Sequence, residues 1–195
     1  VERRGEPERM EKYRSKPNHR LLWHGSPQVN IIGILSQGFR LKRGRPSRLH
    51  FKPDDEEDIW NGMYFADMFA KSYDYSITGY AQQLKVADND RLYLFLCEVA
   101  LGNMHTYEYD SITKMPAGKD SVLVSGQLAP DWNNAVVLPN GVEIPLGEAA
   151  HHGRSLDENA ANENLSYDFS EYIVPNEAQV RIRYVLEIVA NKDEK

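Results

Sequence analysis

The sequence has 195 residues, 41% of them hydrophobic and 27% charged, with net charge −6 and a pI near 5.5. That length and balance suit one domain with a sizeable core, and the acidic excess argues against a nucleic-acid-binding surface as its main business. A single cysteine, Cys97, excludes an internal disulfide framework and favours a reducing, intracellular compartment; no signal peptide is expected, and with no run of about 18 apolar residues no membrane span is expected either.

Residues 1 to 20 are charged and nearly free of aliphatics, and read as a linker or frayed helix. The chain opens on Val1 rather than Met, so we expect a domain that continues upstream. Residues 21 to 24 read as a short buried strand ending at His24-Gly25. A helix follows, with Ser26 expected at the N-cap, Pro27 at the first helical position and Gly38 beyond the end. Val29, Ile31, Ile32, Ile34 and Leu35 are its expected apolar side. His24-Gly25 therefore sit at a strand-to-helix junction, where unpaired backbone N–H groups gather.

Residues 41 to 61 read as a long loop, basic at first (Lys42, Arg43, Arg45, Arg48, Lys52) and then five acids in a row from Asp54 to Asp58. "GMYF" is a short strand, with Asp67 expected to cap a helix over "MFAKSYDYS". Residues 91 to 101 form a long central strand that buries Cys97 as an inert thiol. "VVLPNGVEI" is a hairpin with Asn140-Gly141 as a two-residue turn. "EYIV" is a strand stopped by Pro175. "AQVRIRYVLEIVA" alternates, placing Val180, Ile182, Tyr184, Leu186 and Ile188 on one side. Strands outnumber helices and the helices cluster early, which reads as α+β with mainly antiparallel sheet.

Three strand ends carry polar residues: His24, Tyr64 and Glu171. Taken singly, each is more often structural than functional. The sequence has no G-x-S-x-G, P-loop or G-x-G-x-x-G, and His151-His152 has no second ligand pair at zinc spacing, so no metal is expected.

The blocks "LLWHGS…N…GILSQGFR", "GMYFADMFAKSYDYS", "VALGNM", "PNGVEIPLG" and "SEYIV…AQVRIRYVLEI" resemble, in order and over residues 20 to 190, the catalytic domain of poly(ADP-ribose) polymerases. The resemblance implies an ADP-ribosyltransferase fold, with two mainly antiparallel sheets around an NAD cleft and a few flanking helices. It implies a catalytic domain over residues 21 to 195 and a His-Tyr-Glu signature at His24, Tyr64 and Glu171. Glu171 would bond the 2′-hydroxyl of the nicotinamide ribose and orient the acceptor, and His24 would hold the adenosine ribose. The Gly25 main chain and Ser72 would bind the carboxamide, between the rings of Tyr75 and Tyr64. Lys71 would line the acceptor side; Ser26, Asn30 and Arg40 would lie near the adenosine. Asn61 stands where the family has a lysine, and the 41–61 loop overhangs the NAD site in the family pattern.

The implied activity is transfer of ADP-ribose from NAD, a substrate rather than a bound cofactor, to protein acceptors, possibly including the protein itself. The retained Glu171 favours chain elongation. Three alternatives stay open: mono-transfer, transfer to nucleic-acid ends, and a catalytically silent NAD- or partner-binding module. The resemblance further implies a nuclear, DNA-damage setting in which nucleic acid is met only through flanking domains, and no membrane.

Overall fold

A computed structural model describes residues 1–41, 62–77, 91–107, 115–151 and 168–189. Apart from Leu41, the expected 41–61 loop lies outside these residues, and so do Asn61 and His152. The N-terminal segment carries a short helix, α1 (Glu6–Met10), with Glu6 and Met10 buried. Strand β1 (His19–Gly25) then leads into helix α2 (Gln28–Gln37). Next come β2 (Met63–Phe65), α3 (Phe69–Ile77), β3 (Arg91–Ala100) and β4 (Met104–Tyr107). The remaining strands are β5 (Ser121–Val124), β6 (Leu128–Pro130), β7 (Val136–Val137), β8 (Val142–Ile144), β9 (Ala149–His151), β10 (Glu171–Val174) and β11 (Val180–Val189).

A five-stranded sheet has the order β11-β3-β1-β8-β7, and a four-stranded sheet the order β2-β10-β5-β4; β6 and β9 form a small third pair. Among the described residues every strand pairing is antiparallel except β1 with β8 and β4 with β5. The α+β class with mainly antiparallel sheet is therefore the architecture found. The two larger sheets share one core. Leu22, Phe95, Cys97, Val99 and Ile182 from the first meet Met63, Phe65, Tyr172 and Val174 from the second, with Ile31 of α2 and Phe39. Alternate residues of the second sheet, Val122, Val124 and Ile173, form a smaller cluster on its other face. At the end of β1 the sheets are stitched together, because Trp23 and Ala66 exchange backbone hydrogen bonds of 2.7 and 2.9 Å.

Several local expectations change. Pro27, not Ser26, is the N-cap of α2: its ψ of 142° is extended, and helical geometry begins at Gln28. Ser26 Oγ instead accepts a hydrogen bond from Asn30 Nδ2 at 3.0 Å. Of the expected apolar side of α2 only Ile31 is buried, while Val29 and Ile32 are each 80% exposed; five apolar residues in seven positions exceed what one helical stripe can hide. Gly38 does close the helix, at φ +79°, with its N–H on Ile34 O. The hairpin turns on Pro139-Asn140, with Gly141 alone at positive φ (+83°) and its N–H on Leu138 O, so it is longer than a two-residue Asn-Gly turn. In β11 the register against β3 shifts between Ile182 and Tyr184. That bulge turns Tyr184 outward, to 55% exposure, and ends the expected one-sided row.

Candidate active site

Residues that sequence places far apart meet where β1 ends, because both sheets and α3 converge there. His24 lies on the inner face of β1, edge-on to Phe39 at 4.7 Å and tilted against Phe65. Its Nδ1 is 2.8 Å from the carbonyl oxygen of Tyr64. A carbonyl can only accept, so Nδ1 carries the proton. Burial among these rings pushes the His24 pKa down to about 4, so the ring is neutral near pH 7 and its Nε2 is a hydrogen-bond acceptor. One residue on, Gly25 lies directly against the Ser72 carbonyl of α3; any Cβ there would fall inside that oxygen's contact distance. Ser72 is buried at 3% exposure, and its carbonyl accepts from Ser76 Oγ at 3.0 Å.

Glu171 opens β10 opposite Val124, and so shares the face of the second sheet that carries the smaller cluster; Tyr64 packs on the same cluster. The carboxylate is almost sealed, at 3% exposure. Two residues of α3 hold it. Lys71 Nζ stands 2.7 Å from Oε1, and the Tyr75 hydroxyl donates a hydrogen bond to the same carboxylate. Lys71 and Tyr75 are four apart and share a helix face, with the ammonium 5.5 Å from the Tyr75 ring centroid. Tyr75 is 44% exposed as a residue, yet its hydroxyl end reaches the buried acid. Burial first, then the charges of Glu171 and Tyr64, push the Tyr75 phenol up to about 12, so it stays a donor.

Below this layer lies a buried polar group that sequence reasoning missed. Asp67, expected as the cap of α3, is 4% exposed and accepts from Tyr172 Oη at 2.9 Å. Arg20 donates to the same Tyr172 oxygen at 3.1 Å, stacks 3.8 Å over the Trp132 ring and pairs with Glu143. Burial raises Asp67 to about 6. The network joins β1 and β10, which carry His24 and Glu171, to the turn that follows β2, the strand of Tyr64. An aspartate two residues past an apolar strand was the only signal, and it reads equally as a cap.

The other expected positions lie in α2 or flank it. Ser26 and Asn30 bond each other, as above. Arg40 pairs with Glu177 at 3.2 Å, its side chain 60% exposed, in a shallow hollow with Pro175 and Asn176. The structure thus gathers Gly25, Tyr64, Lys71, Ser72, Tyr75 and Glu171 tightly, joins His24 to them through the Tyr64 main chain, and sets Arg40 apart on an open surface. Chemically, a fixed carboxylate between a cation and a phenol can stabilise developing positive charge and take a proton from a neighbouring hydroxyl. Among the described residues no three His, Cys, Asp or Glu side chains group to hold a metal ion, and no helix is long and apolar enough to cross a membrane.

Comparison with known proteins bears on the same residues. The family model described as "Poly(ADP-ribose) polymerase catalytic domain" matches residues 1–190. The chain is 40% identical over 192 residues to "Poly [ADP-ribose] polymerase 1" of Danio rerio, covering 98% of this chain and 17% of that protein. It is 39% identical over 194 residues to "Poly [ADP-ribose] polymerase 2" of Zea mays, covering 98% of this chain and 26% of that protein. It thus spans only about a sixth to a quarter of the length of these curated relatives.

Proposed function

This chain belongs to the poly(ADP-ribose) polymerase catalytic-domain family, and we propose that it is an NAD-dependent ADP-ribosyltransferase acting on protein acceptors. The observation that carries this reading is the buried Glu171 carboxylate, held by Lys71 and Tyr75 of one helix beside Tyr64. NAD joins a cationic nicotinamide to C1′ of a ribose. When that bond breaks, its electron pair stays on the ring nitrogen and nicotinamide departs neutral, so no acid is needed. The sugar becomes oxocarbenium-like, as in glycoside hydrolysis. In this reading Tyr64 and Tyr75 flank the nicotinamide, with the Gly25 main chain and Ser72 on its carboxamide. Glu171 exchanges part of its hold on Lys71 and Tyr75 for the 2′-hydroxyl, stabilises the charge at C1′, and takes the proton of an attacking hydroxyl as the new C1′–O bond forms. Neutral His24, through Nε2, accepts from a hydroxyl of the adenosine ribose; Ser26, Asn30 and Arg40 lie toward the adenosine, and Lys71 toward the acceptor.

The retained carboxylate supports elongation into chains, and the same family reading supports a nuclear setting. Incubation with NAD, followed by quantitation of free nicotinamide and a gel of the automodified protein, tests the reading. Release of nicotinamide with a ladder is expected. A single shifted band restricts the product to mono-transfer, and no release at all leaves a silent binding module.

A further inference from the structure

The segment ahead of β1 is tied into the fold by one arginine. The carbonyls in the last turn of α2 find no partners inside the helix. Gly38 N–H takes that of Ile34. Arg3 takes the next two, with Nε on Leu35 O at 2.8 Å and Nη2 on Ser36 O at 2.9 Å. Its third nitrogen, Nη1, donates to Glu6 Oε1 at 2.7 Å. A cation at this end also suits the helix dipole. Glu6 is 2% exposed, and its other oxygen accepts from the Ile182 N–H at 3.2 Å, on the outer strand β11 beside the bulge. One guanidinium thus links the end of α2 to the sheet across a buried carboxylate.

Little else holds that end. Only Ile31 of α2 is buried, and Ile34 and Leu35 are only partly so. The Arg3 guanidinium also lies directly against Gly38, where a side chain would displace it. The chain then turns inward. Phe39 is buried, edge-on to His24 at 4.7 Å and to Phe65 and Phe95 at 5.6 and 5.9 Å. The Tyr64 carbonyl fixes one nitrogen of His24 and Phe39 packs against the same ring, so the direction of Nε2 depends on both. Only the step from Gly38 to Phe39 separates the arginine from the ring that packs on His24.

We propose that Arg3 is a positioning residue for the dinucleotide: it holds the exit of α2 so that Phe39 seats against His24 and His24 faces the adenosine ribose. Arg3 acts wholly through these residues. The inference rests on the NAD site of the transferase reading, and its test separates the two. Removing Arg3 leaves Glu6 the Ile182 N–H and a second cation, Arg9, at 3.8 Å. The buried charge stays compensated, so the sheet should still fold. What is lost is the grip on two carbonyls of α2.

Wild type, Arg3→Ala, Arg3→Lys and Glu2→Ala are compared. Glu2 lies in the same segment but accepts from Arg181 of β11 at 3.0 Å rather than holding α2. Calorimetric titration gives the affinities for NAD and for nicotinamide, nicotinamide release gives kcat, and NMR follows the His24 imidazole against pH. Arg3→Ala should weaken NAD by about fivefold and leave nicotinamide affinity and kcat within about twofold, the pattern of lost preorganisation at one end of a ligand. The His24 ring, held by burial at a pKa of about 4, should titrate roughly one pH unit higher as the Phe39 cover loosens. Arg3→Lys, which keeps the charge but not the planar fork, should fall between, and Glu2→Ala should match wild type. If Arg3→Ala does not fold, Arg3→Lys decides by the same readouts. NAD affinity or His24 titration unchanged in the Arg3 variants overturns the positioning role. An equal loss in Glu2→Ala overturns it too, because the whole segment would then act as a brace. A wild type that binds NAD but releases no nicotinamide overturns the transferase reading, while affinity and NMR still decide the role of Arg3. A wild type that binds no NAD overturns both.

Discussion

The two ends of the proposed NAD site are built differently. At the reacting end, main chain meets main chain: Trp23 pairs with Ala66, and Gly25 lies on the Ser72 carbonyl. Such contacts hold whatever the neighbouring side chains are, but they leave no room for added atoms. At the adenosine end, side chain meets side chain on an open surface: Ser26 with Asn30, and Arg40 with Glu177. These contacts are individually weak and exchangeable. Substitutions should therefore act in a step at the first end and by small increments at the second.

The largest effect on rate belongs to Glu171→Gln. The amide keeps the shape and NAD binding but not the charge, so transfer should fall by roughly 10²–10³, the usual cost of removing one aimed electrostatic group. Nicotinamide release at saturating NAD measures it, and a rate within tenfold of wild type would remove the carboxylate from the mechanism. Next comes Gly25→Ala. One methyl meets the backbone carbonyl of Ser72, which no rotamer change relieves, so β1 and α3 must part. Chemical denaturation should register a loss of at least ~1–3 kcal/mol, the range for overpacked interiors, together with weakened NAD binding. An alanine variant of unchanged stability and affinity would show that the junction gives freely.

Smaller again is a pH effect on the far side of the same strand. His19 Nδ1 faces Glu98 Oε1 at 3.3 Å, and its Nε2 faces the Tyr13 carbonyl at 3.1 Å. Both partners accept, so only the imidazolium satisfies both. The Glu98 hydrogen bond raises the His19 pKa above 6.5, and the His19 bond lowers that of Glu98 below 4.5. The His19 contribution is complete below pH 6.5 and is lost as pH rises through the folded value. The Glu98 contribution is present above pH 4.5 and is lost as pH falls through its own. Stability measured from pH 5 to 9 should show wild type losing about 1 kcal/mol relative to His19→Gln on the alkaline side. Parallel curves would mean that the ring is neutral throughout.

The strands that carry His24, Tyr64 and Glu171 were legible because each is a short apolar run bearing one polar residue, and a buried strand needs nothing more to announce itself. What escaped was whatever depends on partners distant in sequence. The bulge that turns Tyr184 outward has no mark in a strictly alternating segment. Nor does helical periodicity say that Val29 and Ile32 find no neighbour. Lys71 and Tyr75 could be placed on one helix face, but their shared carboxylate comes from β10, a hundred residues on. The choice of His24, Tyr64 and Glu171 from among many polar residues came from family resemblance, not from spacing.

The smallest effect is expected at Arg40. Its side chain is 60% exposed, and its partner Glu177 also accepts from the Leu41 backbone N–H at 3.0 Å. Glu177 therefore keeps a backbone donor when the guanidinium goes, and the loop geometry survives. An exposed ion pair of this kind contributes about 0–1 kcal/mol, so Arg40→Ala should leave stability within that range. If Arg40 also touches the adenosine, it must exchange Glu177 for the ligand, and the net gain is the difference of two weak contacts. Affinity for NAD should then fall by fivefold or less, with nicotinamide-like inhibitors unaffected, because they bind only at the main-chain end. Calorimetric titration of NAD and of nicotinamide against the same variant measures both. A loss well above tenfold would show that the adenosine end is as rigidly specified as the reacting end, and the contrast between them would fail.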